Sequence, residues 1–267
     1  MLDEMVTSKY QEVEVAKARL SLAELQRRVA GHLAERNFAE ALRAPGKLSL
    51  IAELKRKSPS RGMLRERFDP VSLAQTLEGA GAAALSVLTD ERYFGGHLEF
   101  LRDVKQFTEL PVLRKDFIVD PYQIYEAALY QADAVLLIVR ILTEALLGQC
   151  LQVAETLGIE PLVEVHNEQE LSVALAAGAR VIGINHRDLG TFTMDPTLSA
   201  RLVPRIPAGK LIVAESGIQT ADDLQRLQRL GVHAVLIGEA LMTAPDPAAK
   251  VRELFDRVGI EEGNGKR

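Results

Sequence analysis

Eight short apolar runs recur between residues 48 and 238, and polar or charged side chains recur at or just beyond their C-terminal ends. They are LSLIAE (48–53), AALSVL (83–88), PVLRK (111–115), AVLLIV (134–139), PLVEV (161–165), RVIGIN (180–185), LIVAES (211–216) and AVLIG (234–238). Rich in Val, Ile and Leu and without clean polar alternation, they read as parallel strands covered on both faces. The stretches between them carry helix start signals. Asp69-Pro70, Asp120-Pro121 and Asp246-Pro247 each set an N-cap acceptor before a proline suited to the first turn, and Thr220 with Asp223 resembles a capping box with Asp in place of Glu. Gly81, Gly158, Gly178 and Gly231 fall shortly before the next run, where a helix end needs a left-handed residue.

Eight strand–helix units joined by right-handed crossovers close most naturally as an α/β fold of the (β/α)8 TIM-barrel type. An open doubly wound sheet is the alternative. It is disfavoured because no GxGxxG turn follows the first run and because polar residues recur at the strand ends, which in a barrel form one rim. A chain of 267 residues, 47% hydrophobic and 26% charged, suits one such domain over residues 1–267. Residues 1–46 are expected to be an N-terminal helical extension. Their pattern is helical from Asp3 to about Leu42, with Ser21 and Glu24 as a capping box, and it breaks at Pro45-Gly46.

Chemistry is expected where the first run ends, in LSLIAELKRKSPSRG (48–62). Alternation sends residues two apart to the same side, so Glu53 and Lys55 should project together as a paired acid and amine. A solvated charge run is the alternative for this segment. Placed on the same rim are Lys115, Glu164, Asn185, Arg187, Glu215 and Ser216, a set whose mutual charges and burial would tune proton affinities. Gly217 in ESG and Gly238 and Glu239 in IGEAL lie on the last two loops, the usual phosphate position in such barrels.

The net charge of -5 disfavours a nucleic-acid partner despite the local cluster of Lys55, Arg56, Lys57, Arg61, Arg65 and Arg67, and a small anion matches it better. The lone Cys150, in a helical segment, reads as core packing and fits a reducing compartment. The five histidines show no zinc-like spacing, so no metal is expected. With no secretory core at the N-terminus and no run long enough to span a bilayer, a cytoplasmic protein with no membrane partner is expected.

The segments IAELKRKSPSRG, LSVLTDERYFGG, PVLRKDFIVDPYQI, VLLIVRIL, LVEVHNEQEL, IGINHRDLGTF, VAESGI and LIGEALM resemble those of the indole-3-glycerol-phosphate synthase family, in the family's order and over essentially the whole chain. The resemblance implies a cofactor-free, decarboxylating ring closure that turns 1-(2-carboxyphenylamino)-1-deoxyribulose 5-phosphate into indole-3-glycerol phosphate, carbon dioxide and water. It implies Lys115 as general acid on the carbonyl oxygen, and Lys55 as partner of the substrate carboxylate with a second role as proton donor in dehydration. Glu164 would take the aniline-side proton or oppose the developing iminium, with Glu53, Asn185 and Glu215 holding the reacting groups. Which Lys–Glu pair serves which proton transfer stays open.

Charge separation in this reaction asks for cations and carboxylates on opposite sides. Arg187 is a candidate for a bidentate carboxylate contact. Phe94 and Phe117 would form an apolar bed for the anthranilate ring, with plain core packing the alternative. Ser58, Gly217 and Gly238 match the phosphate-contact part of the pattern, and Ser216 and Glu239 beside them are expected to bind substrate. Two positions depart from the family: His186 follows Asn185 and reads as a loop residue, and Ala240 stands where many members have Ser. A monomer is expected, with a homodimer the alternative. A Schiff-base aldolase and a non-catalytic phosphosugar-binding barrel are the competing functions.

Overall fold

A computed structural model describes residues 1–256 and 258; the rest of the span expected for the domain, 257 and 259–267, lies outside the described residues. The eight apolar runs form strands β1 (Ser49–Leu54), β2 (Ala84–Leu88), β3 (Val112–Lys115), β4 (Ala134–Ile138), β5 (Glu160–Val165), β6 (Val181–Asn185), β7 (Leu211–Glu215) and β8 (Ala234–Ile237). Each pairs in parallel with its sequence neighbours. β1 pairs with both β2 (Ile51 opposite Ala84) and β8 (Ser49 opposite Ala234), which closes the barrel.

Strand residues are buried almost without exception because they alternate between two apolar layers. Ile51, Leu113, Leu136, Leu162 and Val213 fill the barrel, while neighbours such as Leu50, Val135, Val163 and Ile182 pack against the surrounding helices. Truncating one of these to Ala costs about 2–5 kcal/mol. Cys150 is fully buried in the outer layer, as its sequence context suggests.

The helix signals mostly hold. Asp69 accepts from the Val71 and Ser72 amides, Asp246 accepts from Ala249, and Thr220 with Asp223 forms the complete capping box. Gly81, Gly158, Gly178 and Gly231 all adopt positive φ. Two readings need correction. Ser21 accepts from the Glu24 amide, but the Glu24 carboxylate turns to Arg27 and Arg28, so only half of that box forms. Asp120 caps Tyr122 from one position earlier than expected, because Pro121 occupies the N-cap site itself.

The extension is not one helical run. It comprises α1 (Leu2–Arg19), α2 (Leu22–Arg28) and α3 (Phe38–Ala41), separated by non-helical chain. Met5 on α1 clusters with Phe117 near the rim, and Leu25 packs with Tyr122 along the outside. Phe38 and Leu42 are fully buried at the floor, where Arg36 bonds the carbonyls of Lys105 and Leu110 just before β3. The first 42 residues thus run from rim to floor. Among the described residues no helix is long and apolar enough to cross a membrane.

Candidate active site

All fourteen residues singled out in the sequence line one cavity of about 380 Å³ at the C-terminal ends of the strands. That volume suits a small molecule. Glu53, at the end of β1, and Lys55, just beyond it, point the same way and form a hydrogen-bonded ion pair, as strand alternation requires. Burial works against the Glu53 charge, but the ammonium groups of Lys55 and Lys115 outweigh it and hold the carboxyl below its ordinary value.

Lys115 closes β3 and lies between two carboxylates, 2.8 Å from Glu215 Oε2 and 3.4 Å from Glu164 Oε2. Burial alone would strip its proton. Glu215, Glu164 and Glu53 around it reverse that and raise its affinity for the proton above the ordinary lysine value. The two carboxylates share this single cation and cannot both be equally favoured as anions. Glu215, 1% exposed, is pushed up to about 7 by burial and the neighbouring Glu164, against the pull of Lys115. Glu164 goes the other way: burial raises it, but Lys115, His166 and Asn185 together hold it well below the carboxylate range. The three groups titrate as a unit.

His166 belongs to no metal spacing in the sequence, and its importance lies elsewhere. Two residues beyond Glu164 on β5, it places Nε2 3.2 Å from Glu164 Oε1 and Nδ1 3.1 Å from Glu170 Oε2. The first is an ion-pair contact rather than a well-aligned hydrogen bond, since neither Nε2 nor Oε1 satisfies hydrogen-bond geometry with any partner. The same i, i+2 rule that paired Glu53 with Lys55 would have found it.

Asn185, at the end of β6, accepts from the Arg187 amide through Oδ1, and its side chain is among the groups that hold the Glu164 carboxyl low. Arg187 reaches Glu239 at 3.5 Å, and Glu239 also accepts from Arg61 at 2.8 Å, so this carboxylate gathers two guanidinium groups at the cavity mouth. His186 is a loop residue but a buried one. Its ring contacts the Ser216 carbonyl (3.1 Å) and the Ser199 hydroxyl (2.7 Å), joining the ends of β6 and β7.

Phe94 and Phe117 face each other across the cavity wall with ring centroids 6.2 Å apart. Leu189, Phe192 and Met194, which the sequence did not single out, complete the apolar lining from the loop after β6. Asp116, between Lys115 and Phe117, accepts from the Thr89 hydroxyl at 2.6 Å and receives the buried Lys9 ammonium of α1 at 2.9 Å; Lys9 also meets Asp90, 3.0 Å away. The extension is therefore tied into the rim by charge.

At the other end lie Ser58, Ser216, Gly217 and Gly238. Ser58 Oγ is buried without a protein partner, and Ser216 and Gly217 both take positive φ (67° and 72°), which turns the chain sharply after β7. Gly238 also makes room for a neighbour in a way that the sequence does not reveal: a Cβ there would overlap Glu53 Oε2, and a Cβ on Gly183 would likewise overlap Glu215 Oε1. Among the described residues no group of three or more His, Cys, Asp or Glu is arranged to hold a metal ion.

A family model described as indole-3-glycerol phosphate synthase matches residues 2–254. The chain is 47% identical over 266 residues to the indole-3-glycerol phosphate synthase of Roseiflexus castenholzii, covering 97% of this chain and 99% of that protein. It is 52% identical to indole-3-glycerol phosphate synthase 2 of Streptomyces coelicolor, over 82% of this chain and 84% of that one. Among solved structures, a 3-hexulose-6-phosphate synthase superposes with a TM-score of 0.63 at 16% identity, covering 79% of this chain and 100% of that one. A thiamine phosphate pyrophosphorylase from Pyrococcus furiosus does so at 0.61 and 20%, covering 82% and 98%. At such identities these two likenesses speak to the barrel alone.

Proposed function

The chain belongs to the indole-3-glycerol phosphate synthase family and its reaction is that family's decarboxylating ring closure; we propose that Lys115 is the general acid of this reaction and that the carboxylates around it divide the remaining proton transfers. The supporting observation is the Lys115 ammonium between Glu215 and Glu164.

The aromatic carbon that bears the carboxylate attacks the ketone carbon, forming the new C–C bond as negative charge develops on the carbonyl oxygen. Lys115, kept charged by its neighbours, gives its proton to that oxygen. Loss of carbon dioxide restores the aromatic ring, and the new hydroxyl then takes a second proton, from Lys55, and leaves as water. Glu164, held as an anion, receives the proton released on the aniline side and opposes the positive charge there. Glu215, pushed up to about 7 and 2.8 Å from Lys115, is suited to pass a proton back to it. Lys55 pairs with the substrate carboxylate, and Glu53 and Asn185 hold their neighbours in place.

Phe94 and Phe117 bed the aromatic ring, Arg187 orients the carboxylate, and Ser58, Ser216, Gly217, Gly238 and Glu239 form the phosphate end. A Schiff-base role for Lys115 fits less well, because an ammonium held charged between carboxylates is not a nucleophile. We further read residues 1–46 as an extension of one barrel domain. The enzyme would be cytoplasmic and monomeric, with a homodimer the alternative, and would act on a small phosphorylated substrate rather than on nucleic acid or a membrane. Its net charge of -5 and lone buried thiol support that reading. The direct test is indole formation from the carboxyphenylamino ribulose phosphate by purified protein.

A further inference from the structure

We infer that His166 is a positioning residue for the reaction: bridging Glu164 and Glu170, it fixes the carboxylate that faces the cavity and joins it to the loop that walls the cavity after β6. The inference rests on the reading of Glu164 given above. His166 does not line the cavity, so it acts through its neighbour.

Both ring nitrogens face carboxylates, at 3.2 Å and 3.1 Å. A neutral imidazole has one N–H and would turn a lone pair toward one of these oxygens, whereas the imidazolium presents an N–H and positive charge to both. Neither Nε2 nor Glu164 Oε1 has a hydrogen-bond partner elsewhere, so a repulsive contact there would be relieved by nothing else. The ring is buried, which works against its charge, but Glu164 and Glu170 overcome this and lift its pKa to about 9.

From His166 the connection continues outward. Glu170 Oε2 accepts from the His166 amide at 2.7 Å, and its Oε1 accepts from Arg140 Nε at 3.0 Å. Arg140 Nη1 donates to Asp188 at 2.6 Å, and Asp188 Oδ1 accepts from the amides of Gly190 and Thr191, both at 2.9 Å. That turn carries Leu189, Phe192 and Met194 to the cavity wall. The charged groups bearing on His166 are thus Glu164 at the end of β5, just before it, and Glu170 on the following helix. Arg140 lies behind Glu170, and Lys115 with Glu53 and Glu215 lies behind Glu164. Taking away the imidazolium leaves Glu164 with Lys115 alone, a cation it shares.

The test compares His166→Phe, His166→Gln, Glu164→Gln and the double variant Glu164→Gln/His166→Phe, reading kcat, KM and the pH profile of kcat/KM. His166→Phe should lower kcat by about 10- to 100-fold, the scale found where a residue that orients a metal-binding side chain is lost, with KM nearly unchanged. Its acid limb should move to higher pH, because Glu164 becomes easier to protonate. Gln keeps a donor near the Nε2 position without charge, so His166→Gln should recover part of kcat but not the position of the limb. The double variant should be no more than about threefold slower than Glu164→Gln, since one residue acts through the other.

A merely structural role would lower thermal stability and leave the acid limb where it is. Folded His166→Phe with kcat within about threefold of wild type and an unmoved limb would overturn the inference. So would a double variant that loses the full product of the two single effects. If His166→Phe does not fold, the same limb measurement on His166→Gln decides. Near-normal turnover by Glu164→Gln would remove Glu164 from the mechanism and this inference with it, whereas a slow Glu164→Gln beside an unaffected His166→Phe removes the inference alone.

Discussion

The carboxylate of Glu53 occupies the space that a side chain on Gly238 would need, so that Oε2 rests where the missing Cβ would be. Two neighbouring strands, β1 and β8, share that one volume. A glycine placed by its sequence at the phosphate end therefore also sets the position of an acid on the reacting side.

Gly238→Ala should consequently displace Glu53, disturb its pair with Lys55 and lower kcat by about 100-fold, on the scale of misplacing a reacting group by an ångström. Gly183→Ala should do the same through Glu215. Steady-state kinetics check this. A rise in KM with kcat unchanged for Gly238→Ala would assign that glycine to phosphate contact only.

Lys115→Met should abolish most turnover while substrate still binds, because its proton matters most in the transition state. It should also lower thermal stability by about 3–5 kcal/mol, since buried Glu164 and Glu215 lose their common cation. Lys55→Met should weaken binding as well as turnover, through loss of an ion pair already present in the ground state. Titration of substrate into each variant and single-turnover rates separate the two patterns.

His166 makes a pH-dependent contribution to stability. Its folded pKa, about 9, lies above the ordinary value of 6.5, so the folded state holds the proton more tightly and stability falls as pH rises between the two. The gap in thermal midpoint between wild type and His166→Phe should be full at pH 6 and should shrink by pH 9.5. A gap that stays constant across this range would mean that the ring carries no charge.

Inorganic phosphate or sulfate should compete with substrate through the Ser58, Gly217 and Gly238 end of the cavity. Ala240→Ser should tighten that competition if a hydroxyl supports the anion, and leave it unchanged if backbone amides carry the contact. Absence of competition at high anion concentration would place the phosphate elsewhere.

The barrel was legible because eight parallel strands buried on both faces must be written as eight apolar runs, and their polar ends then fall on one rim. Glu53 and Lys55 were legible as a pair from alternation alone. His166 obeys the same rule relative to Glu164, although no metal spacing marks it. The Gly238–Glu53 and Gly183–Glu215 fits lie between adjacent strands, where no local pattern records which residue needs the other's space. The link from Lys9 to Asp90 and Asp116 joins residues far apart in the chain, and its lysine reads as one more charge on an amphipathic helix. In the extension, periodicity marks the apolar face but not the breaks between α1, α2 and α3.

The central claim is the reaction itself, and the composition makes it directly visible. The chain contains no tryptophan, so its own emission comes from five Tyr and eight Phe, and a newly formed indole stands out against it. Purified protein mixed with 1-(2-carboxyphenylamino)-1-deoxyribulose 5-phosphate, with chelator and no added cofactor, should give rising indole fluorescence and a matching loss of anthranilate emission. Glu164→Gln should slow that rise by about 100- to 10,000-fold, the range typical of a positioned general base. Folded wild-type protein that produces no indole signal would contradict the account.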